Sequence, residues 1–108
     1  MTEAEIARAR IVEAAKALLA GELSVFDAAQ RIASLRHDVD PEQVDINLLT
    51  FAGIDSEADR LTIMDSVRGW HPSVRAEKER ELAKADAFYR AAAVESAEAL
   101  LAKFARPA

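Results

Sequence analysis

The chain has no cysteine, which excludes disulfide staples and thiolate metal centres. A chain without thiols suits a reducing cytoplasm, so a cytoplasmic protein is expected. There are only three glycines and three prolines in 108 residues, too few for the turns of an all-β sandwich or barrel. No apolar run approaches the length of a membrane span. The opening Met1-Thr2-Glu3-Ala4-Glu5 lacks the basic and apolar regions of a signal peptide. Basic residues are outnumbered, 14 against 19 acids, for a formal net charge of -5. That balance argues against nucleic-acid binding and favours a basic protein partner. The expected partners therefore include neither nucleic acid nor membrane.

Leucine, alanine, glutamate, lysine and arginine are abundant, which favours helix, and apolar residues make up 51% of the chain. The length suits one domain. The reading is an all-α single domain over residues 1–108, a bundle of four or five helices.

Thr2 and Glu5 have the spacing of a capping box and start the first helix. Ala4, Ala7, Ile11, Ala14 and Leu18 recur at helical spacing, and Gly21 supplies the left-handed residue that ends the helix. Ser24 caps a second helix, which buries Val25, Ala28, Ala29, Ile32 and Leu35 and ends at Arg36 and His37. Asp40-Pro41-Glu42-Gln43 reads as the start of a third, with Asp40 as cap and Pro41 in the first position. Its inner face is Val44, Leu48 and Phe51, and Gly53 breaks it. Val44-Asp45-Ile46-Asn47-Leu48 also alternates apolar and polar, as an extended segment does, but has no second strand to pair with.

Ile54 to Trp70 is less regular, with Ser56 or Thr62 as caps of short helices. His71-Pro72 stops that element. Ser73 then caps a long last helix whose inner stripe is Val74, Leu82, Ala85, Phe88, Tyr89, Ala92, Ala99, Leu100 and Phe104. Some thirty residues at about 1.5 Å each reach roughly 45 Å, long enough to be the spine of the domain.

Asp55, Glu57 and Asp59 alternate like the start of a calcium loop. However, Arg60 stands where such a loop needs glycine and Ser66 where it needs an acid. Helix capping accounts for these acids more simply. His37 and His71 with the central acids form the alternative of a metal-binding hydrolase or sensor, but no H-E-x-x-H or H-x-x-E-H spacing supports it. No serine sits in a G-x-S-x-G turn and no glycine-rich phosphate loop is present. The chain reads as a non-enzyme without cofactor.

The most informative feature is another absence. From Asp38 to Asp59 there is no Lys or Arg, while Asp38, Asp40, Glu42, Asp45, Asp55, Glu57 and Asp59 are all present. A surface of one sign speeds association with partners of the other sign and rejects wrong ones. Asp38, Asp40, Asp45, Asp55, Glu57 and Asp59 are therefore the candidate partner-binding residues, with any exposed aromatic among them as anchor.

Leu35-Arg36-His37, Phe51-Ala52-Gly53-Ile54-Asp55-Ser56-Glu57-Ala58-Asp59-Arg60-Leu61 and Arg68-Gly69-Trp70 resemble a family of small all-helical bacterial proteins of unknown function. The pattern extends through Glu79 and Tyr89-Arg90 to Leu101 and Phe104, covering most of the chain from Gly21. A proline often follows the D-x-L step in that family, where this chain has Thr62. The resemblance implies a helical fold and a link to contact-dependent toxin systems, with this chain as the immunity protein that binds and neutralises a toxin such as a nuclease. No catalytic residue carries over. Within the motif, Arg68 is expected to pair with Asp55, Glu57 or Asp59 over Trp70. Phe51 to Trp70 then forms a structured elbow between the first helices and the last. A helical dimer built on the long helix is the remaining alternative.

Overall fold

A computed structural model describes the backbone of residues 2–68 and 72–105, and their side chains except those of 60–68, 72, 74 and 75. Four helices follow in order: α1 (Glu3–Leu19), α2 (Val25–Val39), α3 (Ile46–Arg68) and α4 (Pro72–Phe104). No strand occurs among the described residues. The all-α bundle with a long C-terminal helix is what the chain builds, and α4 runs for 33 residues.

The first two helices start where local chemistry dictates. Thr2 Oγ1 accepts the Glu5 N–H at 3.1 Å, and Ser24 Oγ accepts the Asp27 N–H at 3.1 Å. Each satisfies an amide that the helix itself leaves without an acceptor. Gly21 closes α1 at φ 78°. Its N–H donates to Leu18 O at 3.1 Å, and the Glu22 N–H reaches back to Ala17 O at 2.8 Å. This paired closure needs a left-handed residue, which glycine adopts without strain.

The junction between α2 and α3 differs from expectation. Asp40 does not cap α3. Its N–H still donates to Arg36 O at 2.8 Å, so α2 continues beyond His37 to Val39. Asp40 then opens a turn in which the Gln43 N–H donates to Asp40 O at 3.0 Å. Asp followed by Pro favours the first two positions of such a turn as strongly as a helix start. Gln43 lies at φ 56°, and the Asp40 carboxylate accepts the N–H groups of Val44 at 3.2 Å and Asp45 at 2.8 Å. The cap of α3 is Asp45, whose Oδ1 accepts the N–H groups of Asn47 at 2.9 Å and Leu48 at 3.2 Å.

Gly53 does not break α3, and neither Ser56 nor Thr62 begins a new helix. The stretch from Phe51 to Arg68 is therefore the body of one helix and not an elbow, while Gly69 and Trp70 lie outside the described residues. Glycine costs a helix interior about 1 kcal/mol, and the burial of Leu48, Phe51 and Ile54 on one face outweighs it. A Cβ at Gly53 would meet nothing within 4 Å. Gly53→Ala should therefore raise stability by roughly 0.5–1 kcal/mol in chemical denaturation.

The helices form a ring in which α1 meets α2, α2 meets α3, α3 meets α4 and α4 meets α1. The α2–α4 diagonal is also in contact, whereas the backbones of α1 and α3 stay further apart among the described residues. Arg8 from the start of α1, Val39 from the end of α2, Leu48 from the start of α3 and Phe104 from the end of α4 line one cleft. Successive helices therefore run antiparallel, as short connections require. Ile11, Leu18, Val25, Ile32, Leu48, Phe51 and Leu100 are the largest side chains fully buried between them. Small residues fill the rest, among them Ala15, Ala28, Ala29, Ala93 and Ala97.

α4 keeps much of its expected inner stripe, since Leu100 is buried and Leu82, Ala85, Tyr89, Ala99 and Phe104 are part-buried. Phe88 and Ala92 leave it, and the Val74 side chain lies outside the described residues. The buried residues of α4 include Ala93, Ser96, Ala97 and Leu100, with Tyr89 and Phe104 packed at the edge. Phe88 is 79% exposed, and Ala92 also faces outward. Alanine occurs on every side of this helix, so apolar spacing alone does not select a face. Ser73 lies inside the first turn, because α4 starts at Pro72.

The two hairpins differ in length. The Val25 N–H, at the start of α2, donates to Asp86 Oδ2 at 2.9 Å. About 20 Å of α4 precede that point at 1.5 Å per residue. α3 and α4 therefore project past the α1–α2 hairpin, consistent with principal extents of 52 × 24 × 22 Å.

Candidate interaction surface

The six acids singled out from sequence do not form one patch. Asp38 is exposed on the last turn of α2. Asp40 is used by the turn, and Asp45 is 9% exposed. Besides capping α3, Asp45 pairs with Lys103 at 2.6 Å, tying the start of α3 to the end of α4. Burial alone would raise the Asp45 carboxyl. The Lys103 ammonium and the N–H groups of Leu48 and Asn47 outweigh that effect and hold it below 3.8.

Asp55 and Asp59 follow at i,i+4 along α3 and share a face, while Glu57 projects from a different side. Burial raises the Asp55 carboxyl above 3.8, the Asp59 charge adds to the rise, and Arg36 opposes it. Arg36, half-buried on α2, gives one N–H to Ala33 O at 3.3 Å. Its Nε is buried without a hydrogen-bond partner among the described residues. Asp55 thus sits in the field of a half-buried cation on the neighbouring helix. The expected pairing of Arg68 with Asp55, Glu57 or Asp59, and the position of Trp70, lie outside the described residues. His37 is exposed near the end of α2, and His71 also lies outside them. Among the described residues, no three His, Asp or Glu side chains gather as metal ligands.

Among the described residues no exposed aromatic stands in the acidic segment, where Phe51 is fully buried. Two aliphatic residues that sequence reasoning assigned to a helix do stand out. Val44 is 75% exposed and Ile46 74%, with Leu49 one turn on at 40%. Both flank Asp45, and the carboxylates of Asp40 and Asp45 fix the backbone around them. The alternating Val44-Asp45-Ile46 pattern is the signal that could have found them: Val44 and Asp45 precede the helix, which opens at Ile46. Exposed Asp38 and Glu42 sit within this corner. The result is a rigid apolar point in a segment without a positive charge.

No helix among the described residues is long and apolar enough to cross a membrane. No protein-family model, curated protein or solved structure matches the chain.

Proposed function

We propose that this chain is a non-catalytic protein-binding module that engages a basic partner through the corner between α2 and α3. The supporting observation is the exposure of Val44 and Ile46 on backbone held by two aspartates, within a segment lacking Lys and Arg. Exposed aliphatic side chains on a rigid frame suit the anchor of an interface, because little ordering entropy is lost on docking. The surrounding acids steer a basic surface toward them. The particular partner suggested by the resemblance is a toxin, which the bound module would hold inactive.

The test is association with the protein encoded next to this one. The complex should weaken as salt is raised. Val44→Ser/Ile46→Ser should weaken it about tenfold or more while leaving the melting temperature nearly unchanged, since both side chains face water. Absence of a complex and of protection on co-expression would sink the toxin reading. Full affinity in the double variant would remove the corner from the interface.

A further inference from the structure

The exposed side of α4 is complementary to itself. Phe88, 79% exposed, meets Tyr89 edge-on at 5.0 Å between ring centres, and Tyr89 packs against the core. The outward ring is therefore buttressed on one side and bare on the other. Lys84, Ala91 and Glu95 are also exposed and fall on the same stripe, at helical spacings of three or four residues from Phe88 or from one another.

The order along this stripe is what identifies an occupant. Phe88 and Ala91 lie equally far from the midpoint between Tyr89 and Arg90, and so do Lys84 and Glu95. A second copy laid antiparallel about that midpoint would place Phe88 against Ala91, twice. It would also place Lys84 opposite Glu95 at both ends. A two-fold contact must satisfy this reciprocity, with each residue meeting its partner in both directions. Alanine opposite phenylalanine leaves room for the ring when helix axes approach to about 8–10 Å. A parallel pairing would instead set Lys84 against Lys84 and Glu95 against Glu95.

We infer that the chain forms a symmetric dimer through this stripe, with the two α4 helices antiparallel and Phe88 at the centre. The surface differs from the α2–α3 corner, so the inference stands apart from the proposed function. With one helix face contributed per copy, the dimer is expected to be reversible and dependent on concentration.

Sedimentation equilibrium of the full chain, from micromolar to millimolar concentration, tests this. The wild-type chain should pass from monomer to dimer across that range. Phe88→Glu should remain monomeric with an unchanged helical circular dichroism spectrum and melt. Lys84→Glu and Glu95→Lys should each weaken the dimer at least several-fold. The double variant Lys84→Glu/Glu95→Lys should return close to wild type, because each reversed charge again meets its opposite. A wild-type chain that stays monomeric throughout, or a dimer indifferent to Phe88→Glu, overturns the interface. Single reversals without effect, or a double variant that does not recover, overturn the antiparallel pairing.

Discussion

Phe51→Ala should destabilise the bundle by roughly 3–5 kcal/mol, the largest loss expected from any single truncation here. Phe51 is fully buried and belongs to the cluster that joins Ile11 and Leu18 of α1, Ile32 of α2 and Leu100 of α4. Alanine would remove the ring's transfer energy and leave a cavity that rigid helices close only in part. Domains are stable by about 5–15 kcal/mol in all, so the variant should keep only part of its margin. In urea the midpoint should fall with little change in slope. Phe51→Leu should lose much less, because it retains more of the packed volume. A loss below about 1 kcal/mol for Phe51→Ala would mean that this face of α3 does not point inward.

The second large effect belongs to Asp45. Asp45→Ala should cost roughly 2–3 kcal/mol, combining a lost N-cap with a Leu48 N–H left buried without its acceptor. The Lys103 partner adds little to that figure, because its side chain is 59% exposed and returns to water. Asp45→Asn should lose less, since an amide oxygen can still accept the N–H groups of Asn47 and Leu48.

The same residue sets a dependence on pH. The folded carboxyl lies below its ordinary value of 3.8, so the unfolded chain binds this proton more readily. Its contribution is complete above the unfolded pKa and is lost as pH falls through the lower folded value. The stability difference between wild type and Asp45→Asn should therefore be constant near neutrality and narrow in acid below about pH 4. A difference that widens in acid would contradict the lowered carboxyl.

Features fixed by a few neighbouring residues were legible in the sequence. Thr2, Ser24 and Gly21 act within a turn of where they stand, and the inner faces of α1 and α2 follow from large residues at helical spacing. Asp40-Pro41 was misread because the same two residues favour a turn and a helix start, and only the path of the following chain decides between them. Gly53 was misread because a cost near 1 kcal/mol stops a helix only when nothing large is buried beside it. Phe88 was placed inside because alanines surround α4 and hide the direction of the core. In the candidate surface, the acidic segment was visible but its division was not. Two of its acids are engaged by backbone amides, and one of these by Lys103, a residue 58 positions away. Distances of that kind have no local sequence signature.

The ring of helices also sets the order in which the chain can gain its contacts. Every adjacent pair but one consists of helices consecutive in sequence, and those pairs can form with short loops to close. The exception is the seam between α1 and α4, which must bring together the two ends of the described chain. Proteins dominated by local contacts fold quickly, and the entropy of closing even a long loop grows only as its logarithm. The hydrogen bond from the Val25 N–H to Asp86 and the Lys103–Asp45 pair both bind α4 to helices that precede it by many residues. The last helix thus acts as the clasp of the bundle.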